Sequence, residues 1–106
     1  LLMNAWYKAS LRGDVAAARR ALERIDPVQM QEDRAAFFAF YTEMLARDPD
    51  RAIAHLRVVP RDWLNDSWYR GPKGLLLGNA HALAGRREAA AAEWRAALDL
   101  VRQRLA

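Results

Sequence analysis

Apolar residues recur along this chain at helical spacing, and breaks between the runs divide it into helices. The first helix covers about residues 2–12 and stops at Gly13, after which Asp14 can cap a second over 15–24. Ile25, Asp26 and Pro27 close that stretch. Asp26 followed by Pro27 is also a start signal for a third helix, which covers at least 32–47. Asp48 caps a fourth, with Pro49 in its first turn, and Pro60 ends it just after Val58. Pro72 opens a fifth helix reaching Ala84, and the sixth is long, 87–105. The stretch 61–71, RDWLNDSWYRG, has no helical period, and nothing in the chain reads as a strand. The expectation is an all-α chain of six helices with one irregular linker.

A longer period lies over the helical one. Ala18, Ala52 and Ala90 stand at matching places, 34 and then 38 residues apart, and the irregular linker accounts for the longer interval. Four residues after each alanine comes a bulky apolar residue, Leu22, Leu56 or Trp94; three further on lie Ile25, Val59 and Ala97. A turn signal precedes each alanine: Gly13-Asp14, Asp48-Pro49-Asp50, or Gly85. Before each turn lies an apolar segment carrying Trp6, Phe40 or Leu77-Gly78. Paired antiparallel helices explain this pattern, because small residues let the helices approach and the large one fills the space beside them. One hairpin cannot bury its apolar surface alone, so neighbours stack. The units are about 1–26, 27–60 and 72–106 of a single domain.

The third unit resembles a tetratricopeptide repeat. Leu77-Gly78, Gly85, Ala90, Trp94 and Ala97 fall on that family's small-and-large signature, while His81 stands where it usually has an aromatic and Arg102 where it often has proline. In the first unit Trp6 replaces the small residue of the first helix; in the second Phe40 does, and the turn glycine is missing. The resemblance implies a right-handed superhelical stack of three antiparallel helical hairpins, a tetratricopeptide-like α-solenoid. It further implies a concave groove, lined by the first helix of each unit, that takes a peptide. Tyr7, Arg34, Phe37, Tyr41 and Asn79 would point towards that groove, with Leu75 and Leu76 nearby. Aromatic residues and arginine are the types that dominate interfaces; for Phe37, burial between the helices is an equal alternative. The family's carboxylate-clamp version uses lysine and asparagine, whereas Met3 and Tyr7 occupy the first such pair here. The implied ligand is therefore apolar or mixed rather than an acidic C-terminus.

The last helix carries two apolar stripes. Ala90, Trp94, Ala97, Leu98, Val101 and Leu105 form one, expected to bury Trp94 against the fifth helix and the preceding unit. Ala89, Ala92, Ala96 and Leu100 form the other, roughly 120° around the helix. Repeat arrays end in a polar cap, so the second stripe is expected to meet a partner: a second copy of the chain, giving a homodimer, or a following helix of a longer protein of which this is a fragment.

Composition narrows the function classes. The 106 residues have 53% hydrophobic and 28% charged content, as in a globular domain. No stretch reaches the roughly 20 apolar residues of a membrane span, and no secretory signal is visible, so a cytoplasmic location is expected. Fifteen arginines and 22 alanines read as a GC-rich bacterial coding sequence. The absence of cysteine excludes disulfides and thiolate chemistry. His55 and His81 have no histidine or carboxylate at helical ligand spacing, so neither a metal nor another cofactor is expected. Ser10, Ser67 and Thr42 lack a nucleophile elbow. Gly71-Pro72-Lys73-Gly74 lacks phosphate-loop spacing, and Pro72 removes an amide. No catalytic residue is assigned. A protein-binding scaffold is expected first. A nucleic-acid-binding repeat is the second reading, because Trp63, Trp68 and Tyr69 are interleaved with Arg61, Arg70 and Lys73. A net charge of +4 with acidic residues interspersed argues against it, and packing of those rings is the favoured account.

Overall fold

The computed structural model describes residues 2–106, with the Leu2 and Met3 side chains set aside, so the expectation on Met3 lies outside the described residues. Helices α1 (Leu2–Leu11) and α2 (Val15–Glu23) form a first hairpin. A 3-10 turn, Gln29–Gln31, leads into α3 (Asp33–Leu45) and α4 (Pro49–Arg57). Two short strands follow, β1 (Trp63–Asn65) and β2 (Arg70–Pro72), and then α5 (Lys73–Leu83) and α6 (Arg87–Leu105). The described chain is mostly helical, and each odd-numbered helix packs chiefly on the even-numbered helix after it.

The three helix-to-helix turns are built alike. Each places one residue at positive φ, namely Gly13 (72°), Arg47 (59°) and Gly85 (79°), where glycine costs least. The next amide reaches back across the turn: Asp14 N to Ala9 O, Asp48 N to Glu43 O and Arg86 N to His81 O, each 2.9 Å. That same residue's carbonyl then accepts from Ala18, Ala52 and Ala90, the three alanines of the long period. Asp14 and Asp48 also cap through their side chains, to Ala17 N at 2.9 Å and Arg51 N at 3.2 Å. Arg86 cannot cap this way; it instead donates to His81 Nδ1 and Asp50. The missing turn glycine of the second hairpin is thus supplied by Arg47 in the left-handed conformation.

Ala18, Ala52 and Ala90 are all fully buried, as are Trp6, Phe40 and Gly78 on the facing helices. Two apolar clusters result. Trp6, Ala18, Ala21 and Leu22 meet Phe38 and Ala39; Ala36 and Phe40 meet Ile53, Leu56, Val59, Leu64, Leu76 and Ala80. Helix α3 feeds both, which is why its run Ala35–Phe40 is apolar on nearly every side.

Four expectations are corrected. First, residues 61–71 are not without strand: β1 and β2 pair antiparallel, Trp63 opposite Pro72 and Asn65 opposite Arg70. Three-residue strands are too short to show alternation, and a lone two-stranded hairpin is marginal, so packing makes this one. Leu64 is fully buried in the larger cluster, Asp33 accepts from the Asn65 amide at 2.8 Å and from Arg61 Nε at 3.0 Å, and the Lys73 amide donates to Asp62 O at 2.7 Å. Second, Asp26 does not start a long helix. Its side chain accepts from Gln29 N at 2.9 Å, closing a turn ahead of the 3-10 segment, and α3 begins at Asp33. Third, Trp94 is 40% exposed. Its indole lies over Gly78, where a Cβ would run into the ring, and donates to Asn79 Oδ1 at 3.2 Å. Fourth, the α6 stripes divide differently: Ala90 and Ala97 are buried, Ala89, Leu100 and Val101 half-buried, and Ala92, Ala96, Trp94, Leu98 and Leu105 exposed.

Candidate functional site

Helices α1 and α3 and the tip of the β-hairpin enclose an aromatic cleft of about 290 Å³. Helical spacing places Phe37 and Tyr41 on one face of α3, and α1 brings Tyr7 alongside. Trp6 anchors this wall. Its ring stacks on Phe38 with centroids 4.3 Å apart, and its indole donates to Thr42 Oγ1, which in turn donates to the Phe38 carbonyl at 2.8 Å. Trp68 forms the opposite wall, 6.0 Å from the Tyr7 ring and 5.5 Å from Phe38, edge to face. Ser10 and Leu11 complete the lining, which among the described residues contains no charged side chain.

Tyr7, Tyr41 and Trp68 are 41%, 45% and 54% exposed, an unusual concentration of open aromatic surface. Their phenols and indole N–H take part in no hydrogen bond among the described residues, whereas the Trp6 and Trp94 indoles do. The cleft thus offers ring faces and donors without a described partner.

Of the five residues expected along a groove, Tyr7, Phe37 and Tyr41 meet in this cleft. Arg34 does not line it; its guanidinium pairs with Asp66 at 3.1 Å and reaches Ser67 Oγ at 3.2 Å, clasping the β-hairpin. Asn79 lies apart, exposed on α5, where it accepts from the Trp94 indole of α6. Leu75 is exposed and Leu76 buried.

The hairpin itself covers part of the surface expected to be open. Tyr69 stacks on Phe37 at 5.7 Å with planes 3° apart, and its hydroxyl donates to Pro72 O at 2.8 Å. Burial pushes that phenol above its usual value. Trp63 lies beneath the Arg104 guanidinium, 3.9 Å from the ring centroid. Of the three linker aromatics only Trp68 is left open. The packing expected of all three rings is thereby corrected for Trp68, which sits at the tip of the hairpin rather than against the core.

A second cleft, about 340 Å³, lies between α2 and α4 and is lined by Arg19, Glu43, Arg51 and His55 among others. Glu43 is buried, and both its oxygens accept from Arg19 Nε at 3.1 Å. His55 sits below its ordinary value: burial disfavours the imidazolium, Arg51 adds to this, and Glu43 opposes it. Tyr7 and Tyr41 line the first cleft and Glu43 the second, while His81 accepts from Arg86. Among the described residues no three His, Asp or Glu side chains group as metal ligands, and no helix is long and apolar enough to cross a membrane. Comparison of the chain with protein-family models, with curated proteins and with solved structures gives no match.

Proposed function

We propose that this chain is a non-catalytic protein-interaction module whose tetratricopeptide-like hairpins stack as a right-handed superhelix and present the aromatic cleft to a peptide. The observation that carries the reading is the cleft itself: three exposed aromatic side chains and three half-buried or buried ones around a hollow whose described lining is uncharged. Leaving such area in water costs free energy, and rings of this kind are what interfaces use as anchors. The three like-built turns at intervals of 34 and 38 residues support the repeat reading. Single-stranded nucleic acid could stack on Trp68, but Arg104 covers Trp63, Tyr69 stacks on Phe37, and among the described residues no basic side chain lines the cleft to meet a phosphate.

A random peptide library panned against the chain tests this. Selected peptides should bind the wild-type chain and lose about tenfold or more in Tyr41→Ala, the usual effect of truncating an aromatic anchor. Tyr41 is half in solvent, so the variant should fold, as circular dichroism can verify. Peptides indifferent to Tyr41→Ala, or no binders at all, would sink the reading.

A further inference from the structure

The chemistry of the cleft selects among peptides. Resting on the groove reading above, we propose that its occupant is a proline-rich segment of a partner protein, held in the polyproline II conformation. The described lining carries no charged side chain, and the nearby Arg34 is paired with Asp66, so no described residue there would compensate a charged side chain on the ligand. Ring faces of Tyr7, Tyr41 and Trp68 offer flat apolar surface, and each of these side chains also carries a hydrogen-bond donor without a described partner. An ideal complement is apolar and rich in acceptors. A helix spends its carbonyls internally and would leave the phenols and the indole unpaired once covered. An extended strand needs a sheet edge and brings amide donors of its own. A polyproline II segment has no internal hydrogen bonds, its prolines have no N–H, and all its carbonyls are open. Prolyl rings lie flat on aromatic grooves for the same reason. Because the conformation is preformed, a shallow cleft can hold it at little ordering cost.

The test uses three fluorescein-labelled probes on the whole chain, read by anisotropy: decaproline, an equally long helical leucine–alanine peptide, and single-stranded RNA. Decaproline should bind saturably and the other two should not. Trp68→Ala should abolish decaproline binding, and Tyr41→Phe should weaken it about three- to tenfold, because that change removes one hydroxyl and keeps the ring. The phenylalanine variant guards against misfolding as the cause. No saturable binding of decaproline up to millimolar concentration overturns the proposal, as does binding unaffected by both substitutions. If the helical peptide then binds in a Tyr41-dependent way, the groove reading stands with a different occupant. If only RNA binds, that reading falls as well.

Discussion

Gly78 has no room for a methyl group, because the Trp94 indole lies where its Cβ would be. The small-then-large pattern of the third hairpin is therefore a direct contact, although it leaves Trp94 40% exposed rather than enclosed. Gly78→Ala should cost about 1–3 kcal/mol by overpacking. In a Trp94→Ala background the obstruction is gone, and helix propensity should make the same change neutral or stabilising by up to about 1 kcal/mol. A urea-unfolding double-mutant cycle reads both; equal costs in the two backgrounds would disprove the contact. His55 gives a second residue-scale expectation. Its folded-state proton affinity is lowered, so around pH 6 the unfolded chain binds more protons than the folded one. The stability it contributes is full above the unfolded value of about 6.5 and is lost as pH falls through the lower folded value. The melting temperature should therefore drop between pH 7.5 and 5.5, and His55→Gln should flatten that drop. A wild-type profile no steeper than the variant's would contradict it.

At the scale of elements, the helices were legible because their signals are local. Proline and aspartate at their starts and glycine at two of the turns act within a few residues. The β-hairpin was not, since each strand has only three residues and its pairing depends on what it lies against. Leu64 is its anchor in the core, fully buried beside Leu56 and Val59. Leu64→Ala should cost about 2–5 kcal/mol in thermal or chemical unfolding. A loss below about 1 kcal/mol would mean the hairpin rests on the helices without joining their core. The same element decides the cleft, because Trp68 stands on its tip and Arg34 and Asp33 hold it down.

Over the whole molecule, α3 is shared between two clusters while α6 has one packed side. Leu75 on α5 and Trp94 and Leu98 on α6 are left exposed on the third hairpin. The sequence pointed instead to Ala89, Ala92, Ala96 and Leu100, of which Ala89 and Leu100 are half-buried and Ala92 and Ala96 exposed. If copies of the chain associate through the last helix, Leu98 at 48% exposure is the side chain that a partner would cover. Leu98→Glu should then reduce self-association in sedimentation velocity by about tenfold or more without lowering the melting temperature. A wild-type chain that stays monomeric at every concentration would rule out that dimer.

The six helices, their order, the buried alanines and the turn sites follow from the residues alone, because helical periodicity, caps and breakers are short-range. Tyr7, Phe37 and Tyr41, which the tetratricopeptide resemblance set along one groove, line one cleft. Tertiary structure decided the rest. It turned 61–71 into a hairpin, laid Tyr69 on Phe37 and Trp68 opposite Tyr7, tied Arg34 to Asp66, and joined Asn79 to Trp94. Most of those outcomes rest on contacts between residues distant in the sequence, and the hairpin on its packing against Leu56 and Asp33, which no local pattern of hydrophobic and polar residues encodes.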